Sequence, residues 1–171
     1  MKIYYWILTL IVALIGIWLI TNFIYIAFLV PHGIPEQLPD DFEAAITELN
    51  RSTDNLEFIQ KAYDFVNSRY TSLSYKYLTQ PEKLFTTNAE EIWYQTGYQP
   101  CDKQTYILQL ILIKSGRFQP NEIKIRSILS LRPHQYLEIN LNQSKIALDM
   151  WGADHGVAFG NYYKFPSLFK I

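Results

Sequence analysis

The hydrophobic pattern of this chain changes period twice. From Ile3 to Val30 it has no period: 28 consecutive residues carry no charge and most are apolar. Such a run exceeds the roughly 20 residues that carry a helix across a bilayer, and it predicts a membrane anchor over residues 1–30. Tyr4, Tyr5, Trp6 and Tyr25 sit where interfacial aromatic belts form. The stretch is too long for the apolar core of a cleaved signal peptide, and no small-x-small site follows it. PHGIPEQLPDD (31–41), with three prolines and a glycine, reads as a stiff linker. The domain is then expected over 42–171.

Beyond the linker the period becomes helical. Asp40–Asn50 forms one expected helix and Thr53–Tyr70 a second, with Leu56, Ile59, Tyr63 and Val66 as its apolar stripe. Asp54 and Glu57 have the spacing of a capping box. Residues 71–100 give no clear period, apart from a helical turn at Ala89–Tyr94. CDKQTYILQLILIKSG (101–116) predicts a helix buried on most sides, entered at Pro100 and closed by Gly116. The period then drops to two. Glu122–Leu131, His134–Leu141 and Ser144–Asp149 alternate as strands, the last two joined by a turn at Asn142-Gln143. Helices followed by an antiparallel meander define an α+β domain.

Charge refines this picture. Past the anchor, 14 basic and 16 acidic residues are interspersed, without the clustered basic stripe of a nucleic-acid surface. Lys2 is the one basic residue beside the anchor's N-terminal side, whereas Glu36, Asp40, Asp41 and Glu43 follow its other end. The positive-inside tendency then puts the domain outside the cytoplasm, as a single-pass membrane protein.

The candidate chemistry centres on the single cysteine. Cys101 stands at a helix start, where the dipole favours a thiolate. If Leu141 pairs with Ser144, Tyr136 lies opposite Asp149 and His134 is its diagonal neighbour, within side-chain reach. A nucleophile, a base and an orienting carboxylate are the parts of a Cys-His-Asp triad. Taken singly, each residue has a plainer reading: a buried Cys, a solvated strand face through His134, Tyr136 and Glu138, and an Asp ending a strand. Their joint occurrence favours the triad. A metal site built from Cys101, His134, Asp149, Asp154 and His155 is the lesser reading, because no paired ligand spacing accompanies them.

The stretches GYQPCDKQTYILQLILIKSGRF (97–118), HQYLEI (134–139) and IALDMWG (146–152) resemble the core of the transglutaminase-like superfamily of papain-like cysteine enzymes. The resemblance spans about residues 90–156. It implies a small papain-like domain with Cys101, His134 and Asp149 as catalytic residues and no cofactor. It also implies acyl transfer from a peptide or protein substrate, as a peptidase or amidase or as a cross-linking enzyme. The sequence departs from the family in lacking a glycine next to the cysteine and in its small size. The backbone N–H of Cys101 is one oxyanion donor, and Gln99, Gln95 or the Trp93 indole is the candidate for the second. A catalytically inactive binding module on the same fold, tethered at the membrane, is the alternative. An assembly factor whose anchor helix carries specificity is a third.

Overall fold

The computed structural model describes residues 2–25, 30–31, 33–72, 76, 78–129, 134–142, 144–164 and 169–170. The chain divides into two units, 1–30 and 31–171. In the first, α1 (Lys2–Ile24) is a 23-residue helix. At 1.5 Å per residue it is about 34 Å long, close to the thickness of a bilayer's hydrocarbon core. Its span Tyr4–Ile24 has mean hydropathy 2.5 and is 6% buried. The polar side chains of Thr9, Thr21 and Asn22 donate to carbonyls four residues back, at 2.7–2.9 Å. Hydrogen bonds within the helix are what an apolar medium demands of polar groups. The helix is therefore long and apolar enough to cross a membrane. Residues 26–29 of the expected anchor lie outside the described residues.

The second unit is a mixed helix-and-sheet domain. Its helices are α2 (Asp40–Leu49), α3 (Asn55–Arg69), α4 (Ala89–Tyr94), α5 (Cys101–Lys114) and α6 (Met150–Asp154). Two short strands, β1 (Tyr70–Thr71) and β2 (Gly97–Tyr98), pair in parallel. The main sheet contains β3 (Ile123–Leu129), β4 (His134–Leu141), β5 (Ser144–Leu148) and β6 (Phe169–Lys170), in the order β5-β4-β3-β6 with antiparallel neighbours. The expected end of the first strand, at Ser130 and Leu131, lies outside the described residues.

The domain begins earlier than position 42, because Leu38 of the linker is already part of the core. Asp54 caps α3 as expected, accepting from Glu57 N at 2.8 Å. The Glu57 carboxylate returns to Thr53 N at 2.7 Å rather than to the cap's own N–H. The apolar stripe of α3 differs from the expected one. Leu56 is 49% exposed, while Phe58, Ile59, Ala62, Tyr63 and Val66 are buried. The stripe is anchored on the larger Phe58 ring, which rotates Leu56 out.

α5 runs through the core, and Gly116 takes the left-handed conformation just past its end. Its apolar residues pack on α3 and β4, in one core with Ile123, Leu137, Ile139 and Leu148 of the sheet. Arg117 ties the end of α5 to the α2–α3 connection through Asn50 O (2.9 Å), Ser52 O (2.6 Å) and Asn55 Oδ1 (3.2 Å). A second, smaller cluster joins Ile128, Tyr136 and Ala147 with Tyr162.

Candidate functional site

Cys101 is the first residue of α5 and is partly exposed. The chain leading to it is pinned on several sides. β2 pairs with β1 at the end of α3, and Gln99 N donates to Thr71 O at 3.0 Å. Gly97 adopts φ +77°, a conformation costly for any residue with a Cβ. Lys83 Nζ donates to Tyr98 O at 2.7 Å. Gln104 Nε2 donates both to Gln99 O (2.8 Å) and to Ser72 Oγ (2.7 Å). The thiol thus stands on a turn fixed from three sides.

The hairpin delivers the other two residues. Leu141 pairs with Ser144, and the register continues to Leu137 opposite Leu148. Asn142 supplies the left-handed conformation (φ 50°) that two-residue hairpin turns require. Gln143, the turn's second residue, lies outside the described residues. One step past Leu148 comes Asp149, and His134 Nε2 lies 3.0 Å from its Oδ1. Cys101 is close enough to the ring to help raise its pKa. With Nε2 turned to the carboxylate, Nδ1 is the ring nitrogen left for sulfur. Cys101, His134 and Asp149 are therefore brought together in the order nucleophile, base, orienter.

Asp149 has three structural duties. It is fully buried and caps α6: Oδ1 accepts from Gly152 N at 2.7 Å and Oδ2 from Tyr163 N at 2.8 Å. Tyr63 Oη donates to its backbone carbonyl at 3.1 Å. Gly152 lies so close that a Cβ there would stand 2.8 Å from Cγ and Oδ2 of Asp149. Gly152→Ala is thus expected to push the carboxylate out of line with His134. The expected stability loss is about 1–3 kcal/mol, read by urea unfolding, with slower alkylation of Cys101. Wild-type rates in a folded Gly152→Ala protein would show that Asp149 does not set the ring.

His134 is 2% exposed. Burial alone would lower its pKa, but the Asp149 carboxylate and Cys101 outweigh it and raise the value from 6.5 to about 9. The folded chain therefore holds this proton more tightly than the unfolded chain. The resulting stabilisation is full below pH 6.5 and disappears as pH rises through 9. Wild-type resistance to urea is expected to fall across that window, while His134→Gln flattens the profile there. An unchanged slope in the variant would refute this assignment.

The strand face through His134, Tyr136 and Glu138 is not uniformly solvated. Tyr136 is fully buried and stacks on Tyr162 at 4.7 Å. Trp151 stands edge-on to the His134 ring at 5.5 Å. At the far end Glu138 contacts Arg126 (2.8 Å) and Lys145 (3.2 Å). The packing of aromatic rings over β4 converts an apparently polar face into a sheltered one.

Of the oxyanion candidates, Trp93 is otherwise engaged. Its indole N–H donates to Asp41 Oδ2 at 3.0 Å, and its ring is stacked on Phe42 at 4.0 Å. Gln99 is fully buried, and its Nε2 donates to Gln95 Oε1 at 2.9 Å. Gln95 is partly exposed, with a 3.4 Å contact from its Nε2 to Thr86 Oγ1. The metal set is dispersed: Asp154 accepts from Ser72 N, and His155 Nδ1 lies 2.9 Å from Trp151 O. Among the described residues no three His, Cys, Asp or Glu side chains converge on a common point.

Sequence reasoning missed the polar start of α5. Asp102 and Lys103 are completely buried and paired at 2.9 Å. Polar residues at a helix start read as a surface, and only tertiary packing reveals otherwise. Gly152, by contrast, stood visible in DMWG as a glycine inside a short turn of helix. Comparison with protein-family models, curated proteins and solved structures found no match.

Proposed function

We propose that this chain is a membrane-anchored thiol enzyme of the transglutaminase-like kind, performing acyl transfer with Cys101, His134 and Asp149. The observation that carries the reading is His134, buried between the Asp149 carboxylate and a partly exposed thiol. A histidine so placed is useful for proton transfer. Its imidazolium can hand a proton to a leaving group.

In the reaction, Cys101 sulfur attacks an amide or ester carbonyl and forms the S–C bond. Donors around the carbonyl oxygen stabilise its negative charge. The backbone N–H of Cys101 supplies one, since the first amides of a helix have no intrahelical acceptor. The amide of Gln95 or Gln99 is the side-chain candidate. His134 then gives its proton to the leaving amine or alcohol as the C–N or C–O bond breaks. Water or a second amine attacks the thioester, His134 takes up a proton, and sulfur leaves as thiolate. Asp149 holds the ring in the required tautomer throughout. Lys2 before α1, with no Lys or Arg from residue 31 to Glu43 after it, favours a domain outside the cytoplasm, acting on peptides or proteins there.

Iodoacetamide tests the reading on the full chain in detergent micelles. At pH 6 Cys101 is expected to alkylate about tenfold faster than glutathione, and His134→Ala to remove that advantage. Alkylation no faster than glutathione, unchanged by His134→Ala, would overturn the triad and leave a binding module.

A further inference from the structure

The second unit holds an open cleft of about 650 Å³, remote in purpose from the thiol chemistry. The segment from Gly33 to Asp40 forms one wall, Thr87–Glu90 with Tyr94 the other, and Tyr106 of α5 also lines it. The first wall is held in place. Lys114 Nζ donates to Glu36 O at 2.9 Å, Leu38 is buried in the core, and Pro35 and Pro39 restrict the backbone. The cleft is therefore formed before any ligand arrives.

Its polar groups have one character. Asp40 and Glu90 line it, and neither carboxylate is paired with a cation among the described residues. Tyr94 is 57% exposed and donates to Asp41 Oδ1 at 3.3 Å. Desolvation, then the nearby carboxylates of Asp41, Glu90 and Asp40, raise the Tyr94 pKa, and Asp40 and Glu90 line the same cleft as its ring. Tyr106 is 4% exposed, yet its phenol has no hydrogen-bond partner among the described residues. Tyr106 belongs to the core and also lines the cleft, so the cleft is where its hydroxyl can meet a partner.

Unpaired carboxylates repel an anion, and the phenol oxygen can accept an N–H. A hard divalent ion suits the site poorly, since it needs more oxygen ligands than two separate carboxylates provide. We propose that the cleft binds the ammonium group of a small organic cation, a primary amine such as a diamine or a lysine side chain. Asp40 and Glu90 supply the counter-charge, the Tyr106 oxygen accepts an N–H, and the Tyr94 ring flanks the cation. The proposal does not depend on Cys101.

Saturation-transfer NMR on the full chain in micelles tests it, with cadaverine as probe and its uncharged diol analogue as control. Cadaverine is expected to show transfer and the diol none. Asp40→Asn with Glu90→Gln should weaken cadaverine about fivefold. Tyr106→Phe should weaken it about threefold, and it provides the test if the double variant does not fold. Equal binding of the diol would overturn the proposal. So would wild-type affinity in Tyr106→Phe, or displacement of cadaverine by one equivalent of calcium or magnesium.

Discussion

Asp149→Ala is expected to lower the unfolding free energy by about 3–5 kcal/mol and to abolish the proposed acyl transfer. The magnitude follows from what the carboxylate leaves behind. Gly152 N and Tyr163 N lose their acceptors, α6 loses its cap, and His134 loses the 3.0 Å contact at Nε2. Each group sits where water has little access, so each loss carries a desolvation penalty. Asp149→Asn is a sharper probe. Both carboxylate oxygens accept backbone N–H groups, so an amide must set an NH₂ against one of those donors. Its volume is unchanged, but a rate loss of about 10³–10⁴ is expected once the ring's tautomer is no longer fixed. The His134 pKa should fall from about 9, because burial then acts with less opposition. NMR titration of the imidazole checks this. A pKa still near 9 in Asp149→Asn would remove Asp149 from the site's electrostatics.

Lys103→Met should cost about as much stability, roughly 3–5 kcal/mol, without touching a proposed catalytic group. Asp102 and Lys103 are neighbours at the start of α5, and both side chains are 0% exposed. Adjacent helical residues point in different directions. Lys103 must therefore curl back to reach Asp102 Oδ2 at 2.9 Å. Removing the ammonium leaves a carboxylate in the interior with its charge uncompensated. Asp102→Asn combined with Lys103→Met should recover much of the loss, since neither charge then remains. A double-mutant cycle in urea is expected to give a coupling of about 1–3 kcal/mol. Additive effects would show that the two charges do not stabilise one another.

These two sites mark the boundary of what a single sequence reveals. The apolar helix, the Asp54 cap, the limits of α4 and α5 and the hairpin register were legible, because each follows from local pattern or backbone chemistry. Position 149 was found by counting through the hairpin, since antiparallel pairing is arithmetic once the turn is known. What was hidden depends on packing between distant segments. The stripe of α3 could be centred on Leu56 or on Phe58, and only the core decides. Trp93 offered an N–H that Asp41, 52 positions away, already uses. The parallel pair β1–β2 is two residues long on each side, too short for any period to register. CDKQT reads as surface and is mostly core, because burial of those side chains depends on Ser72, Gln99 and the sheet.

The pairing of Leu141 with Ser144 also limits how this region can change in length. One residue inserted there, without a compensating bulge, reverses the facing of everything downstream and turns Asp149 away from His134. Two residues, one added to each strand, preserve the facing but lift the turn farther from the site. Length variation in this hairpin is thus restricted to even steps. A chain that appears free to grow at an exposed tip is bound by the parity of its strands.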